Sequence, residues 1–400
     1  MEEKGKLPEG WRWVRLGEVC EIVTGSTPSK GENRFYGGSI PWVKPDDLDR
    51  SMYVDKSAEY LTDEGGRQAR ILPFGSVLVS CIGKLGKCAI AATTLTTNQQ
   101  INSLIPTHEI DSAYLYFVCK TLVPDMEAAA SVTIVPIVNK TTFSALRIPL
   151  PPLDEQKRIA AILNEQMAAV ERARAAAEAQ LEAAQALPAA YLRAVFSSPE
   201  AQQWATRRLG DVSKLLRSKS IATDGDAEVQ AITTACLSEG GFLTIGIKAA
   251  RMWSKDLAEC TLARGEVLVA RSNTPELVGR VAMFPGEPKG AVASDLTIRI
   301  WPSNEISSDF LTAYLSFLYQ TGYWKERAGG ASGSMKKITR EQIQAQQIPL
   351  PAVADQQRVT AMLIEQMASA ERARKTIEEE LDAINKLPAA LLRRAFGGGL

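Results

Sequence analysis

Apolar or small residues recur every three or four positions along two long stretches of this 400-residue chain. The mean step is about 3.5 residues, the period of a coiled coil rather than of a helix lying on a globular core. We therefore predict two long helices that pair with each other. The predicted seam positions are Ile159, Leu163, Met167, Val170, Ala173, Ala177, Leu181, Ala184 and Leu187 in the first helix, and Val359, Leu363, Met367, Ala370, Ala373, Ile377, Leu381, Ile384 and Leu387 in the second.

Capping and proline residues predict where these helices begin and end. Asp154 is the predicted N-cap of the first helix, and Pro188 and Pro388 are predicted to end the long helices and to begin short ones. A helix from about Asp154 to Leu187 would be about 50 Å long. Antiparallel packing of the two helices would relate the halves of the chain by a pseudo-twofold axis.

The region of the first helix is repeated in the second half of the chain. The stretch from Ile148 to Phe196 returns from Ile348 to Phe396 at a fixed offset of 200 residues, without a gap. Roughly half of the aligned positions are identical, which indicates an internal duplication. Two helices of one chain can then pair within the same molecule.

A globular segment precedes each helix, and the two segments share traces of one plan. Both begin near a Leu-Gly-acid-Val sequence and later contain Gly-x-Val-Leu-Val, a short β-rich run after a turn glycine. Each then offers a strand-like run and an apolar helix. The shared features are Leu16 to Val19 and Leu209 to Val212, Gly75 to Val79 and Gly265 to Val269, Thr97 to Ile105 and Asp295 to Trp301, and Ala113 to Leu122 and Phe310 to Tyr319.

These patterns predict an α+β fold in which two globular α/β domains are joined by two long antiparallel coiled-coil helices with pseudo-twofold symmetry. The predicted domains are residues 1–147 and 201–347, and the predicted helical regions are 148–200 and 348–400.

Composition narrows the chemistry that the chain can support. Its six cysteines form no C-x-x-C pair and His108 is its one histidine, so a zinc site or a histidine-based catalytic triad is not expected.

No apolar run approaches the roughly 20 residues of a membrane span, and the charged first ten residues lack the apolar centre of a secretion signal, so we expect a cytoplasmic protein. Lys+Arg and Asp+Glu balance at 46 each, so net charge neither favours nor excludes nucleic acid.

Polar and basic segments beside the predicted strands are candidate nucleic-acid-binding segments. We interpret residues 24–30, 37–44, 80–87, 98–100, 217–219, 271–273 and 329–337 as loops. Small residues let the backbone approach a phosphate, Lys and Arg neutralise it, and Asn, Gln and Arg can bond to base edges. The candidate DNA-binding residues are Thr27, Ser29, Lys30, Arg34, Lys44, Ser80, Lys84, Lys87, Asn98, Gln99, Gln100, Lys140, Arg217, Lys219, Arg271, Ser272, Asn273, Ser334, Lys336 and Lys337.

The Gly-Lys pairs at Lys84 and Lys87 do not form a nucleotide-binding P-loop. Leu78 and Cys81 occupy the positions where the motif requires a glycine, and neither lysine is followed by Ser or Thr. No cradle for a nucleotide or a methyl donor is visible, so we predict no cofactor in this chain.

Four sequences together carry a family resemblance. They are Leu7-Pro-Glu-Gly-Trp11, Leu16-Gly-Glu-Val19, Ile40-Pro-Trp-Val43 and, above all, Ile148-Pro-Leu-Pro-Pro-Leu-Asp-Glu-Gln-Lys-Arg-Ile159. Over nearly its whole length the chain resembles the specificity subunit of bacterial and archaeal Type I restriction-modification systems. The second copy of the last sequence departs from the pattern and reads Pro351-Ala-Val-Ala-Asp-Gln-Gln-Arg358.

The resemblance implies that each globular half is a target-recognition domain for one half of a split DNA site, and that the paired helices set the spacer. It implies a non-catalytic chain that recruits two methyltransferase subunits, which methylate adenine N6, and two restriction subunits. S-adenosylmethionine, ATP and Mg would belong to those partners. By the same analogy the candidate partner-binding residues are Glu165, Gln166, Arg172, Arg174, Glu365, Gln366, Arg372 and Arg374, although salt bridging across the coiled coil would explain them equally well.

Two other function classes remain open from the residues alone. A coiled-coil adaptor whose end domains bind proteins or peptides would explain the helices but not the Lys, Asn and Gln residues of the loops. A hydrolase using the carboxylates of Asp46 and Asp47 is a third alternative, but adjacent acids beside Pro45 are typical of a turn.

Overall fold

The computed structural model describes residues 7–131, 135–219, 225–332, 335–397 and 399, with side chains except at residues 331 and 332. Of the candidate residues, Ser334 lies outside the described part. The chain forms two compact units, Met1–Glu178 with Glu379–Leu400, and Ala179–Glu378. Each unit therefore contains one globular region, the beginning of one long helix and the end of the other.

The globular region of the first unit is built from short strands and short helices. Its strands are β1 (Arg12–Arg15), β2 (Cys20–Thr24), β3 (Tyr36–Val43), β4 (Tyr53–Val54), β5 (Tyr60–Leu61), β6 (Ile71–Leu72), β7 (Val77–Ser80), β8 (Cys88–Ala91), β9 (Leu95–Thr97), β10 (Ile101–Pro106) and β11 (Arg147–Leu150). The helices are α1 (Leu16–Val19), α2 (Asp63–Gln68), α3 (Ser112–Thr121), α4 (Val123–Ala129) and α5 (Lys140–Ser144), followed by the long α6 (Leu153–Phe196). Its sheets have the orders β2-β10-β7-β8-β4, β5-β3-β9-β6 and β1-β11.

The second globular region follows with a related set of elements. Its strands are β12 (Thr206–Arg208), β13 (Ser213–Leu216), β14 (Ala227–Ile232), β15 (Leu237–Ser238), β16 (Gly241–Phe242), β17 (Ile247–Met252), β18 (Val267–Ala270), β19 (Ser272–Asn273), β20 (Val281–Met283), β21 (Val292–Ala293), β22 (Thr297–Pro302), β23 (Gly329–Ser332), β24 (Met335–Lys337) and β25 (Gln347–Pro349). The helices are α7 (Leu209–Val212), α8 (Ser254–Cys260), α9 (Ser308–Gln320), α10 (Tyr323–Arg327), α11 (Arg340–Ala345) and the long α12 (Val353–Phe396). Its sheets have the orders β13-β22-β18-β20, β17-β14-β21, β19-β24-β23, β12-β25 and β15-β16.

The two regions share a central sheet in the same register. The order β2-β10-β7-β8 in the first matches β13-β22-β18-β20 in the second. Ser103 of β10 lies opposite Leu78 of β7, and Arg299 of β22 lies opposite Leu268 of β18. The strands predicted after Gly75 and Gly265, and the helices predicted near 113–122 and 310–319, are confirmed.

The central strands are covered on both faces. Along β7, Val77 and Val79 belong to one apolar cluster and Leu78 to another, because successive side chains point to opposite faces of a sheet. In β18 the same alternation places Val267 in one cluster and Leu268 in another. Burial on both faces explains why these strands are continuous apolar runs and do not alternate with polar residues.

The long helices continue through their prolines, so the predicted breaks at Pro188 and Pro388 are wrong. Each helix runs without interruption over 44 residues. At about 1.5 Å per residue, each is about 66 Å long. Leu192 and Phe196 beyond Pro188 keep the helical spacing and are buried, and that burial opposes the loss of one backbone hydrogen bond at the proline. Asp154 is also not an N-cap, because α6 begins at Leu153 and Asp154 lies in its first turn.

The buried seam departs from the predicted one near the middle of each helix. Ala173 and Ala373 are exposed, and the half-buried residues at this level are Arg174 and Arg374. The seam thus keeps an alternation of three and four residues by moving one position along the helix. An alanine gains little from burial, whereas the aliphatic stem of an arginine can cover apolar surface while its guanidinium stays in water. Leu387 is exposed as well.

Each unit packs the start of one long helix together with the end of the other. Ile159 and Leu163 share the core of the first unit with Leu392 and Ala395. Val359 and Leu363 likewise share the core of the second unit with Leu192 and Phe196. This exchange of ends confirms that the two helices run antiparallel.

Candidate nucleic-acid interface

Four predicted residues of the first domain meet at the ends of β9, β10 and β2. The Thr27 hydroxyl donates to the side-chain oxygen of Gln99, and the Asn98 amide donates to the Gln100 side chain at 2.8 Å. A Cβ at Gly25 would lie 2.1 Å from the Asn98 carbonyl oxygen, so only glycine fits at this position. The exposed Thr27 and Gln99 form one polar surface with the half-buried Gln100.

The loop after β7 is held by a buried serine. The hydroxyl of Ser80 donates to the Lys84 carbonyl at 2.6 Å and accepts the Lys87 amide at 2.9 Å. Ser80 itself is fully buried, so it shapes the loop instead of presenting its hydroxyl to a ligand. The Lys87 ammonium donates to the Pro45 carbonyl at 3.0 Å and pairs with Asp46, whereas the Lys84 side chain is exposed.

The other cations of the first domain fall into paired and unpaired sets. Arg34 pairs with Glu32 and Glu64, and Lys44 pairs with Glu59. Such solvent-exposed pairs are worth about 0–1 kcal/mol, so a phosphate can replace the carboxylate at little cost. The exposed candidate lysines of the first domain without an ion pair among the described residues are Lys30, Lys84 and Lys140, and the neutral Ser29 is exposed as well.

Two predicted loops of the second domain are neighbouring strands, so their assignment as loops is wrong. Strands β19 and β24 pair antiparallel, with Ser272 opposite Lys337 and Asn273 opposite Lys336. The pairing brings two candidate segments that are far apart in the chain onto one small sheet. The predicted loop at 37–44 is also mostly strand, since residues 37–43 belong to β3.

A basic cavity of about 420 Å³ lies beside this small sheet. We call it the cationic cavity; it is lined by Arg217, Ser218, Lys219, Arg271, Asp295, Thr297, Ile298 and Arg340. The predicted residues Arg217, Lys219 and Arg271 therefore converge, although Lys219 is already paired with Asp256. Sequence reasoning missed Arg340, which stands at the repeat position of the predicted Lys140.

The position of Arg340 is fixed from within the domain. Its guanidinium donates to the carbonyls of Leu216 at 2.8 Å and Leu215 at 2.9 Å. Burial is the main cause that lowers the pKa of Arg340; the positive charges of Arg271 and Arg217 also lower it, and the carboxylate of Glu341 raises it. The three guanidinium groups line one cavity, so they can act together on one anion.

A buried ion pair next to a lining residue of the same cavity was also missed by sequence reasoning. Arg299 and Glu266 are nearly inaccessible and are joined by two hydrogen bonds of 2.8 Å. Arg299 also donates at 2.8 Å to the carbonyls of Arg217, Glu259 and Thr261. It thereby fixes the backbone of a residue that lines the cationic cavity.

Some of the candidate partner-binding residues of the long helices are exposed and not engaged in ion pairs among the described residues. Glu165, Arg172, Glu365 and Arg372 are exposed and carry no ion pair among the described residues. The ion pairs of the two half-buried arginines lie within single helices, Arg174 with Glu171 and Arg374 with Glu371 and Glu378. Gln166 and Gln366 are half-buried.

The described residues hold no group of three or more His, Cys, Asp or Glu side chains that could bind a metal ion. His108 is exposed, and Asp47 caps a 3-10 turn by accepting the Lys44 amide at 3.0 Å. In the same described ranges no helix has the length and apolar character of a membrane span.

Comparison with known proteins identifies relatives over part or all of the chain. It is 31% identical over 166 residues to the Type I restriction enzyme MjaIX specificity subunit of Methanocaldococcus jannaschii, a match spanning 40% of this chain and only 38% of that relative. It is 22% identical to the StySPI specificity subunit of Salmonella potsdam over 99% of this chain and 90% of the relative. The crystal structure of the HsdS subunit from Thermoanaerobacter tengcongensis shares the fold, with a TM-score of 0.66, 21% identity and complete coverage of both chains.

The Type I restriction modification DNA specificity domain matches the chain twice, at residues 8–182 and at residues 201–382, in agreement with the two related globular regions. The adaptor alternative has no support from these comparisons. The resemblance drawn from the sequence is therefore confirmed, and the chain belongs to the family of the Type I restriction modification DNA specificity domain.

Proposed function

We propose that this chain is the DNA-recognition subunit of a Type I restriction-modification complex, and that each globular domain reads one half of a bipartite site. The observation that carries the proposal is the contrast between shared framework and different side chains. The central sheets have one topology and one register, whereas the residues at their ends differ. Direct reading of base edges requires side chains that vary on a constant support.

The first domain presents mainly neutral polar groups at this end of its sheet, including Thr27 and Gln99. The second presents Asn273 beside Lys336 and the arginines of the cationic cavity. Two readers with different chemistry are suited to two different half-sites.

The chain would act without catalysis of its own and would recruit other subunits. In this proposal two methyltransferase subunits use S-adenosylmethionine to methylate adenine N6, and two restriction subunits use ATP and Mg. The exposed charges Glu165, Arg172, Glu365 and Arg372 on the long helices are suited to holding the methyltransferase subunits. Their repetition in both helices supports two equivalent docking faces.

Methylation mapping tests the proposal. Cells that express the chain with its cognate methyltransferase should carry N6-methyladenine at a split motif, and cells lacking only this chain should not. Exchange of residues 7–147 for those of a relative should change one half of the motif and keep the other half. Methylation that does not depend on the chain, or a motif that stays the same after the exchange, would contradict the proposal.

A further inference from the structure

We propose that the cationic cavity of the second domain is a preformed site for one phosphodiester group of the DNA backbone, and that the first domain has no counterpart. The inference rests on the proposed function and deepens it. Four cationic side chains and one carboxylate line the cavity. Arg217, Arg271 and Arg340 carry no ion pair among the described residues, so their charge is available to an anion.

Unpaired donors in the cavity provide the second observation. Thr297 is only 2% exposed, and its hydroxyl has no hydrogen-bond partner within the described residues. The Nε atom of Arg271 is also buried without a partner there. Buried polar groups are nearly always hydrogen-bonded, so these two donors on the wall of one basic cavity indicate a missing acceptor. A bound phosphate would supply that acceptor, because guanidinium groups bind phosphate with strong charge-assisted hydrogen bonds.

The framework holds these groups in place before any ligand arrives. The Ser218 hydroxyl donates to the Thr297 carbonyl at 3.0 Å, and the Arg271 backbone is tied to Leu296 and Ile338 by hydrogen bonds of 2.8 Å. With the anchored Arg340, these bonds fix three walls of the cavity. A preorganised site loses less conformational entropy on binding than a flexible lysine on a loop.

The position of the cavity connects it with DNA. Arg271 directly precedes β19, so the cavity adjoins Ser272 and Asn273, which face Lys336 and Lys337 across the small sheet. A phosphate held by Arg271 would therefore lie next to side chains that can reach base edges. Contacts to phosphates set the register from which such side chains read the sequence.

The first domain lacks this arrangement at the equivalent positions. By the shared strand registers and helix starts, the counterparts of Arg217, Arg271, Thr297 and Arg340 are Thr24, Cys81, Ile101 and Lys140. Only Lys140 is charged, and it is exposed. The chain therefore holds one half-site by a fixed phosphate contact that it does not make at the other.

The test measures the salt dependence of duplex binding by the full chain in complex with its methyltransferase. Each neutralised phosphate contributes about 0.9 to the slope of log affinity against log salt concentration. Arg271→Gln and Arg217→Gln should each lower that slope by up to about 0.9 and weaken cognate and unrelated duplexes equally. Arg264→Gln is the matched control, because Arg264 is exposed and lies before the opposite end of β18; it should leave the slope unchanged.

Thr297→Val provides a readout that impaired folding would not imitate. Removing an unpaired buried hydroxyl should raise the Tm of the free chain, while loss of the phosphate contact should weaken duplex binding severalfold. Inorganic phosphate should raise the Tm of the free chain above that in chloride of equal ionic strength, and Arg271→Gln should abolish the difference. A phosphate effect on Tm with an unchanged duplex slope would mean that the cavity binds free anions only and would overturn the inference.

The two levels of the proposal fail differently. Unchanged slopes in all cavity variants, with methylation still dependent on the chain, would overturn the phosphate site and leave the proposed function intact. Absence of any duplex binding by the wild-type complex would overturn both.

Discussion

Gln156 and Gln356 stand at the same position of the two long helices and make the same three hydrogen bonds. Gln156 is fully buried; it accepts the Asp111 amide and donates to the carbonyls of Glu109 and Pro151, each at 2.9 Å. The equivalent partners of Gln356, at 2.9 to 3.0 Å, are Ser307, Glu305 and Pro351. Each glutamine thereby fixes the start of its helix to the loop that leads into the domain helix, α3 or α9.

Loss of this anchor should destabilise the unit that contains it. Gln156→Leu leaves one buried amide and two carbonyls without partners, and we expect a loss of about 3 kcal/mol in the free energy of unfolding. Gln166→Leu in the same helix is the control, because the side-chain oxygen of Gln166 is buried without a partner among the described residues. That control should be neutral or stabilising in denaturant unfolding. Equal effects of the two changes would refute the anchoring role.

Loss of one partner of the buried Glu266–Arg299 ion pair should destabilise the protein about as much as loss of the Gln156 anchor. Glu266→Gln leaves the Arg299 charge uncompensated inside the second domain, and we expect a loss of about 3–5 kcal/mol. Faster hydrogen exchange of the β18 and β22 amides would report it locally. The matched control is Ser76→Ala, because Ser76 precedes β7 as Glu266 precedes β18, and it should change stability by less than about 1.5 kcal/mol. A Glu266→Gln protein as stable as the wild type would contradict this role.

The continuity of the long helices predicts the response to replacing their prolines. Proline inside a helix costs about 3 kcal/mol relative to alanine, so Pro188→Ala should raise the free energy of unfolding by about 1–3 kcal/mol. Pro152→Ala, directly before α6, should have little effect. If Pro188 instead separated two helices, its replacement would leave stability unchanged or lower it.

The cysteines should be unreactive in the folded chain. All six are buried, and burial raises the pKa of Cys20 and of Cys81 to about 12. Since the thiolate is the reactive form, these thiols stay protonated at pH 8 and become nucleophilic only as the pH approaches their raised pKa. Titration with a thiol reagent at pH 8 should label none of the six within minutes, and all of them after unfolding. Rapid labelling of native protein would contradict the burial.

Local periodicity explains why so much of the fold could be predicted. The repeat and the heptad pattern predict the helices, and the Gly-x-Val-Leu-Val sequences mark β7 and β18. The pattern places Ala173 in the seam where the structure has Arg174, because alanine and the aliphatic stem of arginine fit the pattern equally well. The pattern wrongly predicts a break at Pro188 because the unfavourable helix propensity of proline is outweighed by the burial of Leu192 and Phe196 beyond it.

Tertiary proximity explains what sequence reasoning missed. Arg299 is a single charge in an apolar strand, and nothing nearby in the sequence indicates Glu266 as its partner. The cationic cavity joins residues that directly follow β13 and β18 with residues at the starts of β22 and α11, which are far apart along the chain. Arg217 and Arg271 could be proposed individually from composition, but their convergence with Arg340 required the structure.

The central claim, that each domain reads its own half-site, is tested most directly by binding of the methyltransferase complex to duplexes carrying the mapped motif. Each mismatched base pair typically costs about 1–3 kcal/mol. Scrambling either half alone should therefore weaken binding at least about 100-fold, and changing the spacer bases at constant length should not. Affinity that survives scrambling of one half would contradict the claim that both domains recognise sequence.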